Sequence, residues 1–261
     1  MTQSRINLGR YFLNMVSAGE GSPVVVLETG LGVDSDSWKY VQDQISRDTR
    51  VIRYDRAGRG NSDPAPFPRS ALDMVNDLHQ LLIAAQIPSP YILVGQSFGG
   101  LMVRLYTGLN PEQVSGLVLV DPSQEGQFEK ISAVLPPPQA QDSDGLVRFR
   151  QFWGKDYRFP EKNREGIDFP QSFSQVVPYQ RLKNVPTIIL SSSNLLPELS
   201  DRPEEAVKLR NIWIEMNQRL TALNLLAQHR VVAKSGHFIQ CDQPAVIVDA
   251  VRQVMRMAEV Y

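Results

Sequence analysis

The sequence predicts an α/β protein: a mostly parallel sheet covered by helices on both faces. Three observations carry that expectation. Short aliphatic runs, Val24–Leu27, Tyr91–Val94, Gly116–Val120 and Val185–Leu190, lack the polar alternation of a half-exposed strand and suit strands buried on both sides. Segments with apolar residues at helical spacing separate those runs. The two kinds of segment alternate, and strand–helix–strand connections place consecutive strands parallel.

In chain order, Arg5–Leu8 and Tyr11–Val16 read as opening strands divided by Gly9 and Arg10, and Gly19-Glu20-Gly21 closes the second. Pro23–Leu27 is the first fully buried strand. Gly30 and Gly32 follow it, then a helix over Ser37–Ile45. Arg50–Tyr54 is the next strand and ends at Asp55-Arg56-Ala57-Gly58-Arg59-Gly60. Ser70 can cap a helix whose Leu72, Val75, Leu78, Leu82 and Ala85 form one stripe, stopped by Pro88 and Pro90. Tyr91–Val94 is a buried strand; the helix after Ser97 carries Leu101, Leu105 and Leu109; Gly116–Val120 is another strand. The rhythm then breaks from Pro122 to about Arg181. It resumes with the strand Val185–Leu190, a long helix near Arg202–Gln228, a last strand His229–Ala233, and a closing helix bearing Val246, Ala250, Val254 and Met255. Residues 1–121 and 182–261 thus form one core, and residues 122–181 are inserted into it.

Composition narrows the function. The 261 residues carry 27 basic and 28 acidic side chains, a formal net charge of −1, so no basic footprint marks a nucleic-acid or anionic-membrane partner. The longest aliphatic stretches fall far short of a membrane span. The opening Met-Thr-Gln-Ser-Arg-Ile-Asn lacks the apolar stretch of a secretory leader, and a cytoplasmic location is expected. A single cysteine, Cys241, excludes an internal disulfide and a multi-cysteine zinc site, and three histidines leave little for a metal centre. No metal and no cofactor is expected.

Chemistry concentrates at Gly95-Gln96-Ser97-Phe98-Gly99, between a buried strand and a helix. In that context G-x-S-x-G is a nucleophile elbow: a sharp turn that lifts the serine over the carboxyl edge of the sheet. A glycine-rich turn with an inert serine is the plainer alternative. Three more segments occur in order along the chain: Thr29-Gly30-Leu31-Gly32, Asp55 through Ser62, and Ser235-Gly236-His237-Phe238. With these four features the chain resembles the α/β-hydrolase superfamily over nearly its whole length. Gln96 stands where the family most often has histidine.

A serine hydroxyl needs a base within hydrogen-bond reach. His79 falls within an amphipathic helix and His229 at the start of a strand, whereas His237 lies in a glycine-preceded loop and matches the family's catalytic histidine. The acid is more open. In most of the family it follows the strand here written Val185–Leu190, but this chain has Ser191-Ser192-Ser193-Asn194 there, without charge. Some branches carry it one strand earlier, where Asp121 stands, 24 residues after Ser97. Asp121 is the leading candidate; Asp201, Glu198 and Glu125 stay open, and an Asp-Pro turn initiator is the structural alternative at Asp121. The resemblance implies an oxyanion hole from the backbone N–H groups of Leu31 and Phe98. The Asp55–Ser62 segment is expected to be scaffold, with a buried Asp/Arg interaction.

In the family such an insertion is a cap over the serine. Residues 122–181 hold nine of the chain's 21 aromatic residues, which favours a hydrophobic small-molecule substrate, although rings packing the cap's own core would give the same count. Arg148, Arg150 and Lys155 could meet a substrate carboxylate or simply be solvated. The leading expectation is a serine esterase or lactonase acting through an acyl-enzyme and a Ser97–His237–Asp121 triad. A carbon–carbon bond hydrolase, an amidase, or a ligand receptor with an idle triad would share these residues. Epoxide hydrolases and haloalkane dehalogenases need a carboxylate nucleophile, which Ser97 is not.

Overall fold

The computed structural model describes residues 1–194 and 196–259. Its elements are β1 (Thr2–Asn7), β2 (Phe12–Ala18), β3 (Val24–Glu28), α1 (Lys39–Ile45), β4 (Val51–Tyr54), α2 (Ala71–Ala84), β5 (Tyr91–Gln96), α3 (Phe98–Leu109), β6 (Val114–Val120), α4 (Gln127–Ser132), α5 (Asp144–Gly154), α6 (Phe169–Val176), β7 (Thr187–Ser192), α7 (Pro203–Arg219), β8 (Ala227–Val232), α8 (Ile239–Asp242) and α9 (Pro244–Ala258). One eight-stranded sheet runs β1-β2-β4-β3-β5-β6-β7-β8. The pairs β1–β2 and β2–β4 are antiparallel, and every pair from β4 to β8 is parallel.

The aliphatic runs do what their composition dictates: β3, β4 and β5 are buried at every residue. Alternate side chains feed two cores. On one face Val24, Val26 and Leu93 pack with Leu78 and Leu82 of α2 and Leu101 and Leu105 of α3. On the other, Val25, Leu27, Ile92 and Val94 pack with Val41 of α1 and Val251 and Val254 of α9. Such burial is worth roughly 1.5–3 kcal/mol per side chain, and it fixes β5 and β6, whose carboxyl ends carry the site. Ser70 caps α2 reciprocally with Asp73.

Two expectations need correction. The helix expected over Arg202–Gln228 ends at Arg219; a 3₁₀ turn spans Leu220–Leu223, and β8 begins at Ala227. The amide of Asn224 donates to Thr187 and its carbonyl receives Leu226 N–H, so the chain is turned back into the sheet there. Leu109 ends the α3 stripe 40% exposed, because it is the last turn of the helix, outside the core.

Between β6 and β7 lie α4, α5 and α6. Aromatic rings of these helices and of the turn between α5 and α6 cluster around Phe128, stacked on Tyr157 at 3.9 Å and edge-on to Phe169 at 5.2 Å. A third apolar cluster joins Ile131 and Leu146 to Leu199, Ala206 and Leu209, bracing these helices against α7.

Candidate active site

β5 ends at Gln96, and Ser97 turns the chain into α3 with φ 53° and ψ −121°, a conformation side chains rarely adopt. The surroundings over-determine it: Ser97 N–H donates to Val120 O at 3.0 Å, and Ser97 O accepts from Gly100 N–H and Ser123 N–H, both at 2.9 Å. Strand and helix approach so closely that a Cβ on Gly95 would lie 2.4 Å from Gly99 O. The opposing atoms are backbone and cannot swing aside. Gly95→Ala should therefore destabilise the fold by about 3 kcal/mol, in the upper range of overpacking costs, read as a lowered denaturation midpoint in urea.

Asp121 follows β6, next to β5 in the sheet, and sits at φ 45° with 1% of its surface exposed. Its carboxylate is fully engaged. Oδ1 accepts Ser192 N–H at 2.9 Å, and Oδ2 faces Ser192 Oγ at 3.0 Å and His237 Nδ1 at 2.7 Å. The imidazole arrives on the loop after β8. Ser193 and Asn194 N–H hold that loop through Ser235 O at 3.0 and 2.9 Å, and Asp242 holds it through Gly236 N–H at 2.7 Å. Gln96 ties the same loop to the elbow, its Nε2 donating to His237 O at 3.1 Å. The structure thus brings His237 and Asp121 into contact and fastens the His237 backbone to the residue before Ser97.

The other candidates lie elsewhere. Glu125 forms a two-point pair with Arg104 at 2.9 and 3.1 Å; burial opposes its charge, but the guanidinium prevails and holds its pKa below the ordinary value. Glu198 and Asp201 line a polar surface cavity of about 600 Å³ with Gln139, Asp142 and Arg202. His79 Nδ1 meets the Tyr106 hydroxyl at 3.2 Å. His229 Nε2 meets Ser191 Oγ at 2.8 Å, and burial lowers its pKa against the opposing pull of Asp121. Arg150 is engaged by Asp142 and Pro136 O.

Gly30 lies against the elbow: a Cβ there would fall 2.1 Å from Gln96 Oε1 and 3.1 Å from Ser97 Cβ, so any side chain at residue 30 would have to displace the Gln96 amide. Phe98 N–H is the first of α3, one of the four at a helix start without an intrahelical partner. Ser97, Leu31 and Phe98 therefore share one corner of the sheet edge.

The Asp55–Ser62 segment departs from expectation. Asp55 and Arg56 are both buried, but their bonds run to different partners. Asp55 receives Asn14 Nδ2, Ser35 N–H and Asn61 N–H, whereas Arg56 meets Glu28 and Glu165. Asp55's pKa is lowered: burial would raise it, and the donors from Ser35, Asn61 and Asn14 outweigh burial.

Three contributions were not anticipated. Ser192, read only as uncharged, supplies two donors to Asp121. Trp213 of α7 stands edge-on to the His237 ring at 6.1 Å and to Trp153 at the same distance. Phe169, at the start of α6 between β6 and β7, packs edge-on to Phe98 at 5.5 Å. Among the described residues, no group of three or more His, Cys, Asp or Glu is placed to hold a metal, and no helix is long and apolar enough to cross a membrane.

The sequence profile of the alpha/beta hydrolase fold matches residues 23–202. A Bacillus subtilis protein, YqjL, of uncharacterised function, is 25% identical over 237 residues, 90% of this chain and 85% of that one. Among solved structures, a thermophilic esterase from Thermogutta terrifontis superposes with TM-score 0.65 at 20% identity, over 99% of both chains. A meta-cleavage product hydrolase from Pseudomonas fluorescens does so with TM-score 0.67 at 20% identity, over 98% of both.

Proposed function

The chain belongs to the alpha/beta hydrolase family, and from that premise we propose that it cleaves an ester or lactone bond of a hydrophobic small molecule through an acyl-enzyme on Ser97. The observation that carries this reading is the 2.7 Å contact between His237 Nδ1 and the buried Asp121 carboxylate, on a loop fastened to the nucleophile elbow. Nδ1–H donates to Asp121, so Nε2 is left as the lone-pair nitrogen that takes the Ser97 proton. Ser97 Oγ then attacks the carbonyl carbon. The oxyanion that forms accepts the Leu31 and Phe98 N–H groups. The imidazolium, stabilised by Asp121, protonates the leaving alcohol, and water repeats the sequence to release the acid.

Residues 122–181 act as the cap in this reading. Phe169 packs on Phe98 behind the elbow, and Trp213 stands beside the imidazole, so the surroundings of the reacting carbonyl are apolar. A carbon–carbon bond hydrolase would use the same serine, and the likeness to the meta-cleavage product hydrolase keeps that reading in the test.

An alkyl fluorophosphonate should attach to Ser97, located by peptide mass, and p-nitrophenyl butyrate should turn over with an acyl burst. Labelling without ester turnover would favour the carbon–carbon hydrolase. Failure of both would point to a ligand receptor with an idle triad.

A further inference from the structure

The inserted segment reaches the oxyanion corner with a charge. Arg56, after β4, has its side chain 2% exposed and Glu165, from the insertion, 1%. Glu165 meets Arg56 twice, Oε2 to Nε at 2.8 Å and Oε1 to Nη2 at 2.7 Å, and Oε1 also accepts Gly32 N–H at 2.5 Å. The same guanidinium donates to Gly30 O and Thr29 O, both at 2.6 Å, and to Glu28 at 2.5 Å. Both sides of Leu31 are therefore held: the carbonyl before it by Arg56, the N–H after it by Glu165.

A trans peptide is planar, with its carbonyl and N–H pointing opposite ways. Turning Gly30 O toward Arg56 consequently turns Leu31 N–H away from it. Gly30 itself rests against Ser97, so this peptide is the one that borders the nucleophile. We infer that Arg56 and Glu165 are positioning residues for the oxyanion site: Arg56 aims the Leu31 N–H over Ser97, and Glu165 locks that arrangement from the insertion. The inference rests on the hydrolase reading and extends it, because the oxyanion site is complete only when the insertion is seated.

Two carboxylates share one guanidinium here, and they are not equivalent. Burial raises the Glu28 pKa in spite of Arg56, and Tyr54 donates to its far oxygen. Burial also opposes charge on Glu165, but Arg56 and the Gly32 N–H outweigh it and hold its pKa below the ordinary value. Removing Glu165 leaves Arg56 against Glu28, whose charge is then favoured because its like-charged neighbour is gone, whereas truncating Arg56 would leave two buried carboxylates without their cation. Glu165→Ala is the variant that tests position while sparing the fold, and Glu165→Gln keeps an acceptor for Gly32 without the charge.

Three measurements on the wild type and both variants decide the matter: p-nitrophenyl butyrate kinetics, affinity for n-butylboronic acid, whose serine adduct is tetrahedral, and amide exchange across Gly30–Val33. Glu165→Ala should lower kcat by roughly 30-fold, somewhat less than outright loss of an oxyanion donor, with KM within about threefold. Boronate affinity should fall by the same factor as kcat, and exchange should quicken in that loop, with Glu165→Gln intermediate. A kcat within threefold of wild type, or a fall in kcat with boronate affinity unchanged, overturns the inference. If the wild type reacts with neither ester nor boronate, the hydrolase reading itself fails. Exchange then decides the clamp alone: quickening confined to Gly30–Val33 sustains it, and unchanged exchange overturns it.

Discussion

Ser97→Ala is expected to lower kcat on an activated ester by about 10⁶-fold, the order seen when the nucleophile of a serine hydrolase is deleted. Stability should hardly move. The Ser97 hydroxyl makes no capping bond to α3, and the strained backbone is held by Val120, Gly100 and Ser123 through main-chain atoms that alanine keeps. The melting temperature should stay within about 2 °C, since less than roughly 0.5 kcal/mol is at stake. Activity above 1% of wild type in purified variant, with thermal unfolding unchanged, would rule out Ser97 as the attacking group.

The second large effect belongs to Asp121. An asparagine there can still accept Ser192 N–H through its remaining oxygen, so the loop geometry survives. Its NH₂ would then occupy the position of Oδ2, facing His237 Nδ1. Two donors cannot face each other, so the imidazole shifts to the tautomer with hydrogen on Nε2 and can no longer take the serine proton. Loss of the orienting carboxylate costs about 10⁴-fold in serine proteases, and kcat should fall by that order. Glu198→Gln and Asp201→Asn, at a surface cavity away from these contacts, should each stay within about threefold. All three variants are read on one ester after circular dichroism confirms folding. A collapse at Glu198 or Asp201 instead would place the acid after β7.

The parallel sheet was legible because its strands are buried on both faces, and two-sided burial leaves an uninterrupted aliphatic run such as Val24–Leu27. The strand-to-helix turn at Ser97 and the loop that carries His237 were legible because each is a local pattern of a few residues. The end of α7 was not: Leu220 and Leu223 keep a helical-looking spacing, although their turn is 3₁₀ and Asn224 redirects the chain. Ser192 illustrates a different difficulty. A strand end read for a missing charge was supplying donors to a charge on the neighbouring strand, and only the register β6–β7 reveals it. Glu165 lies 109 residues from Arg56, beyond the reach of any local pattern. The one available hint was generic: an ion pair must satisfy an arginine buried at a strand end.

The sheet order has a consequence for how this protein fails when warmed. Ser97 and Asp121 hang from β5 and β6, flanked on both sides by paired strands, while His237 hangs from β8, an edge strand that is only partly buried. Local opening starts where backbone bonds are fewest and wettest. The imidazole would therefore drift from its partners while the serine and the carboxylate still stand in register. Thermal inactivation would then precede melting and reverse on cooling, because what leaves is one border strand with its loop, and β7, the template it pairs with again, stays folded.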